Sequence, residues 1–301
     1  MNMQRRTFLS AVTVGAASAR MNAREPRPRL GVVVNVAAGG PDAALANVAR
    51  LGLKCCQLGV GMAPPEFADP IRRASAKHGV EITALMTLGE GRMVWTLREG
   101  PETIGLVPRA TREQRVKALM NASNLAKACS IAAVHTHCGF IPENPNDPLY
   151  REIVPVIRSV VEHCRNNGQT FLCETGQESP ITLLRLIQDV NLENIAVNLD
   201  LANLILYGKG ESVGALDVLG PQVHGIHAKD GNYPTDPYGL GREVPIGNGK
   251  VRFEEVFRKL AELRYTGPVT IEREISGEQQ ERDIRASISF LSRLIDAQYG
   301  A

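Results

Sequence analysis

Four side chains stand at or near the downstream ends of short apolar runs: Glu174 in FLCET, Asp200 in IAVNLD, His227 in VHGIHAKD and Glu272 in VTIERE. Each is costly to bury unless something pairs with it. Taken singly, each has its own explanation. Glu174 could form a strand-end ion pair, Asp200 could cap a turn, and His227 could be a hydrogen-bonded core imidazole. Glu272 is followed by Arg273 and Glu274, so one of these charges must turn away from the others. A single partner accounts for all four at once. Three carboxylates and one imidazole suit one divalent cation, Mn2+ first, with Mg2+, Co2+ and Zn2+ as alternatives. The set contains no thiolate, which argues against a structural zinc site.

Such residues meet only if their runs are neighbouring strands. Short β-branched or apolar runs recur near residues 30–36, 53–60, 80–88, 131–138, 170–175, 195–201, 223–229 and 269–275. Amphipathic stretches alternate with them near 41–51, 65–78, 111–129, 148–167, 180–189, 212–219, 253–264 and 280–298. Runs that are apolar almost throughout mark parallel strands covered on both faces. Eight such units predict an α/β fold: one (β/α)8 TIM barrel domain over residues 24–301, rather than an open doubly wound sheet. Gly52, Gly79, Gly168 and Gly267 precede strands and predict left-handed helix caps. The longer segments 89–110, 139–147 and 230–252 all follow strands. They therefore gather at the rim that carries the four donors, where barrels of this kind hold their active sites.

The chain of 301 residues has a net charge of +2 and no basic run, which speaks against nucleic acid as a partner. Cys55, Cys56, Cys129, Cys138, Cys164 and Cys173 form no C-x-x-C pair. Most lie in apolar runs and read as core rather than as disulfides or ligands. Residues 1–23 resemble a twin-arginine export signal: Arg5-Arg6-Thr7-Phe8-Leu9, an alanine-rich stretch, and Ala17-Ser18-Ala19 as a cleavage site. Gln4 replaces the usual Ser or Thr before the pair. The expected location is periplasmic or secreted. The stretch is too short and too rich in small residues for a permanent membrane anchor.

The motifs E-T, N-L-D-L-A-N-L, I-H-A-K-D, and G-N-G-x-V-x-F leading to G-P-V-T-I-E-R-E occupy the ends of runs five to eight. In these the chain resembles the xylose-isomerase-like barrel superfamily, which holds sugar isomerases and epimerases, inosose-processing enzymes and endonuclease IV. The resemblance implies that Glu174, Asp200, His227 and Glu272 bind one divalent metal. It also implies that Glu174 and Glu272 are the acid–base pair of a ketose epimerase. The groups suit that chemistry. A metal holding a carbonyl and a neighbouring hydroxyl oxygen acidifies the carbon-bound proton. One carboxylate can then remove that proton, and a second on the opposite face can return one.

Four further residues are candidate substrate contacts. His135 and His137 share one face of V-H-T-H-C, which turns either into the pocket or outward. Lys229 shares the side of His227 and either holds an oxyanion or pairs with an acid. Asn203 stands where several relatives carry histidine. Gln57 is a weaker candidate. Trp95, the single tryptophan, either stacks on a sugar or packs on the surface.

The expected activity is a metal-dependent isomerase or epimerase acting on a keto-sugar or related polyol ketone through an enediolate. A lyase or dehydratase acting on a 3-keto-glycoside or inosose by the same first step is the alternative. An abasic-site endonuclease would carry D-x-H after run seven, where this chain has a Gly/Pro/Tyr-rich loop. A non-catalytic sugar-binding protein would not need both glutamates. The expected partner is a small carbohydrate, and a homo-oligomer is compatible with the sequence. No G-x-G-x-x-G or P-loop suggests a nucleotide cofactor.

Overall fold

The structure is a computed structural model describing residues 26–36, 39–62 and 65–300. The twin-arginine segment lies outside these residues. Eight parallel strands form a closed barrel: β1 (Arg29–Asn35), β2 (Cys55–Gly59), β3 (Glu81–Met86), β4 (Ala133–His137), β5 (Thr170–Glu174), β6 (Ile195–Asp200), β7 (Val223–Ala228) and β10 (Pro268–Ile271). Two short strands, β8 (Asp230–Gly231) and β9 (Glu243–Val244), pair antiparallel in the segment after β7. The helices are α1 (Gly40–Arg50), α2 (Ala68–His78), α3 (Gly100–Thr103), α4 (Arg109–Ala128), α5 (Pro148–Asn166), α6 (Pro180–Val190), α7 (Asn203–Leu206), α8 (Ser212–Leu219), α9 (Phe253–Glu262) and α10 (Glu278–Tyr299). Eight of these helices match the amphipathic stretches of the sequence. The short α3 and α7, at the active rim, were not anticipated.

The periodicities explain the layers. Every residue of β2 and β6 is buried, as a strand enclosed on both faces requires. Helix α9 buries Phe253, Val256, Phe257 and Leu260, a stripe with helical spacing that packs onto the sheet. All six cysteines are free; Cys129 is half-buried and the rest are buried, in keeping with a packing role. Among the described residues, no helix is long and apolar enough to cross a membrane.

Gly52, Gly79 and Gly168 have φ of 80°, 61° and 72° and make the left-handed turns expected of them. Gly267 does not. Arg264 takes the left-handed conformation at that junction, with φ 55°. Gly267 serves another purpose: a Cβ there would lie 2.5 Å from Tyr265 Oη, which donates to the carbonyl of Pro268 at 2.7 Å.

Two register shifts bear on the site. They fall between Cys56 and Gln57 on β2 and between Val197 and Asn198 on β6. Such irregularities re-aim side chains. Here they accompany a contact across the barrel interior, with Gln57 Nε2 donating to Asn198 Oδ1 at 2.8 Å. Gly225 on β7 leaves room for it, since a Cβ there would come within 2.4 Å of Asn198 Oδ1.

The long loop after β3 is braced from beneath. Arg115, only 1% exposed, donates to the carbonyls of Glu90 (3.2 Å), Arg92 (3.3 Å), Thr103 (2.8 Å) and Gly105 (2.7 Å). The five donors of a guanidinium suit such a cluster of acceptors. Trp95 is carried on this loop.

Candidate metal centre and substrate pocket

The ends of β5, β6, β7 and β10 bring Glu174, Asp200, His227 and Glu272 to one point. Each offers a ligand atom, and these atoms all lie within 4.8 Å of one another. His227 Nδ1 is the focus: Glu174 Oε1 is 3.0 Å away, Glu272 Oε2 3.4 Å and Asp200 Oδ2 3.8 Å. Its other nitrogen, Nε2, is 2.8 Å from Gln57 Oε1. The amide oxygen faces Nε2 and accepts from it, so Nδ1 faces the three carboxylates and would offer its lone pair to a bound cation. A neutral imidazole is comfortable there only with positive charge between them.

Asp200 divides its two oxygens. Oδ1 accepts from the backbone N–H of Ala202 (2.8 Å) and Asn203 (2.7 Å), capping the turn into α7. Oδ2 is fully buried, faces the cluster and has no hydrogen-bond partner. The turn-capping explanation of this residue therefore holds for Oδ1, and Oδ2 is left unpaired toward the cluster. An orphaned carboxylate oxygen is costly in a dry site. It fits the coordination position of a divalent cation, as does the donor set of carboxylates and imidazole.

The protein's own charges respond in the same sense. Burial lowers the pKa of His227, but Glu174 and Glu272 outweigh it and raise it well above the usual imidazole value. Burial pushes the Asp200 carboxyl well above its ordinary value, with Lys229 opposing and Glu272 and Glu174 adding to it. Burial also acts on Glu174, yet His137, His227 and His135 overcome it and hold that carboxyl well below the usual range. Glu272 is lowered too, because Lys229 and His227 outweigh burial.

The four candidate substrate contacts all border this cluster. His135 Nε2 and His137 Nε2 each lie 3.0 Å from Glu174 Oε2. The His135 contact is not aligned as a hydrogen bond, and both of its ring nitrogens lack a partner. Burial lowers its pKa, with Glu174 opposing. Asn203 Nδ2 donates to Glu174 Oε1 at 3.3 Å. Lys229 Nζ lies 3.2 Å from Glu272 Oε2, 2.9 Å from Glu274 Oε1 and 3.3 Å from Asn203 Oδ1. It is paired with acids rather than free, and Glu272, Asp200 and Glu274 raise its pKa well above the usual lysine value despite burial.

Gln57 is not at the pocket mouth; it lies beneath His227 and holds its ring. The charge that turns away at the end of β10 is Arg273, which meets Glu243 and Asp283, each at 2.8 Å. Sequence reading missed three participants. Glu274 follows Glu272 by two residues, and the two-residue alternation of an extended chain was the available signal. Gln177 lies 3.1–3.2 Å from His137 Nδ1. Tyr207, just past α7, is 4% exposed. These last two lie on irregular chain, where periodicity carries no information.

A cavity of about 380 Å³ opens over Glu174, Glu272, His135 and His137, with Met86 and Trp95 in its wall. A second, of about 250 Å³, is lined by Asn203, Tyr207, Lys229 and Leu240. Trp95, His137 and Glu274 line both.

Fold and rim together define an α/β barrel whose strand ends converge carboxylates and imidazoles on one pocket. The chain belongs to the xylose isomerase-like TIM barrel family, whose model matches residues 45–294. It is similar to a xylose isomerase domain protein from Planctomyces limnophilus, at 33% identity and TM-score 0.86, covering 92% of this chain and 100% of that one. It shares its fold with 3-keto-D-glucoside 4-epimerase from E. coli, at 12% identity and TM-score 0.67, covering 89% and 100% of the two chains. An uncharacterized protein of Methanocaldococcus jannaschii is 26% identical over 172 residues, 54% of this chain and 57% of that protein. The chain thus spans little more than half the length of that relative.

Proposed function

We infer that this protein is a divalent-metal-dependent sugar isomerase or epimerase that moves a carbon-bound proton of a keto-sugar. The observation that carries the reading is the convergence of Glu174, Asp200, His227 and Glu272, with an unpartnered Asp200 oxygen among them. These four residues would hold the ion. When bound, the ion supplies Lewis acidity toward a carbonyl and an adjacent hydroxyl oxygen. Glu174 and Glu272 arise from non-adjacent strands and both line the cavity, so they can reach a substrate carbon from two sides. The one that is ionised removes the proton to give the enediolate, and the other, carrying a proton of its own, returns that proton to the opposite face. Against the opposing effect of burial, the imidazoles around Glu174 and the Lys229 and His227 groups beside Glu272 pull both carboxyls below their usual range, which suits the one that takes the proton; the one that returns it must first be protonated. His135, His137, Asn203 and Lys229 would orient the hydroxyls. Sugar-epimerase structures of the same fold support this reading.

The test is incubation in D2O with Mn2+ and a ketose. Solvent deuterium should enter at the carbon beside the carbonyl, with a new epimer or isomer appearing. Glu272→Gln should abolish exchange and weaken Mn2+ binding; full exchange in that variant overturns the mechanism. Loss of the aglycone from a 3-keto-glycoside, without epimer, would assign elimination after the same first step.

A further inference from the structure

Trp95 stands between the two cavities and lines both, together with His137 and Glu274. Its ring meets His137 edge-on, with centroids 5.2 Å apart, and 40% of its surface stays exposed. The first cavity contains the reacting groups and is large enough for a sugar ring. The second contains none of the four converging donors, yet it is built for a ligand. Tyr207 is buried in its wall, and the Tyr207 hydroxyl has no hydrogen-bond partner. Asn203 and Lys229 add polar groups, and Leu206, Leu240 and Trp95 add apolar surface. Alternating hydroxyl partners and an aromatic wall are what a sugar ring presents a use for, since its hydroxyls point outward and its C–H face is apolar.

The loop carrying Trp95 is braced. Arg115 binds four of its carbonyls from below, and Leu97 N–H donates to the carbonyl of Tyr238 at 3.0 Å. The second contact ties the loop to the segment that supplies Leu240. Both walls of the second cavity are thus held in register before any ligand arrives.

Charge narrows the ligand. Among the described residues, Lys229 is the only Lys or Arg lining either cavity, and it is already paired with Glu272 and Glu274. None of the described residues offers a free cation there to a phosphate or a carboxylate.

We propose that the substrate is an uncharged glycoside of at least two rings, with the reacting keto-sugar over Glu174 and Glu272 and a second sugar ring against Trp95 and Tyr207. The proposal rests on the carbohydrate reading of the site and adds a subsite to it.

Trp95 is the only tryptophan, so its emission reports directly on this position. The probes are D-fructose and four keto-disaccharides (lactulose, isomaltulose, turanose and leucrose), titrated by fluorescence and by calorimetry with saturating Mn2+ present. At least one disaccharide should bind about tenfold more tightly than D-fructose, or ~1.4 kcal/mol, and change Trp95 emission. In Trp95→Ala, and separately in Tyr207→Phe, the calorimetric ratio of disaccharide to fructose affinity should fall toward one. Equal affinities for all five sugars, or a ratio that survives both substitutions, overturns the subsite. Solvent exchange separates this from the activity. Disaccharide preference without deuterium exchange keeps the subsite and sinks the enediolate reading, whereas exchange without preference does the reverse.

Discussion

Replacing Gln57 with Met should loosen metal binding without touching any of the four converging donors. Gln57 makes two contacts of 2.8 Å, accepting from His227 Nε2 and donating to Asn198 Oδ1. Methionine has a similar length but supplies neither bond. The His227 N–H and the Asn198 carbonyl oxygen are then buried without partners, and each orphaned group costs about 1–3 kcal/mol. Together the loss should be roughly 2–6 kcal/mol of folding stability, read by urea unfolding of the metal-free protein. Loss of an outer partner to a ligating histidine typically weakens metal affinity about 10–100-fold, or ~1.4–2.8 kcal/mol. Mn2+ titration calorimetry measures that directly. In 15N-histidine spectra of the Mg2+-loaded protein the Nε2–H form of His227 should dominate in the parent and lose ground in Gln57→Met. Gly225→Ala approaches the same chain from the far end. Its Cβ would press to 2.4 Å from Asn198 Oδ1, so it should weaken Mn2+ in the same direction and by less. Parental Mn2+ affinity in Gln57→Met, with an unchanged tautomer, refutes the idea that this amide orients the ring.

Two other predictions concern regions away from the four donors. Glu178 is 2% exposed, and its Oε2 has no partner. Burial pushes the carboxyl from 4.5 up to about 8, with Glu143 adding and Lys209 opposing. A folded pKa above the unfolded one means the native state binds the extra proton. That stability is fully present below the unfolded pKa near 4.5 and is lost as pH rises through about 8, by at most about 4–5 kcal/mol. Glu178→Gln should therefore be more stable than the parent at pH 8.5, with the advantage closing toward pH 5; a gap independent of pH in denaturant unfolding contradicts this. We also propose export through residues 1–23: fused to a folded reporter, they should deliver it to the periplasm, and Arg5→Lys with Arg6→Lys should stop delivery. Cytoplasmic retention of the unaltered fusion counts against the proposal.

Much of the site was legible because a parallel barrel keeps sequence order in space. Glu174, Asp200, His227 and Glu272 each close an apolar run, and successive runs become neighbouring strands, so their ends meet on one rim. The pairs His135/His137 and His227/Lys229 were readable for a similar reason, since extended chain repeats every two residues. Local reasoning failed where the backbone departs from regularity. Gly267, placed just before a strand, reads as a left-handed cap, but Arg264 adopts that conformation three residues earlier. Gln57 reads as a weak substrate contact, but a shift in strand register beside it accompanies its turn toward the interior.

The amino-acid order by itself determined the alternation of strands and helices, the rim on which the acids and imidazoles stand, and the kind of ion they suit. These depend on periodicity and residue type, which are local properties. Only the tertiary structure decided which groups touch. Gln57 meets His227 across 170 residues of chain, Lys229 is occupied by Glu272 and Glu274, and Trp95 divides one pocket into two. Such contacts depend on barrel closure, strand stagger and loop bracing, and these follow from packing the whole chain at once.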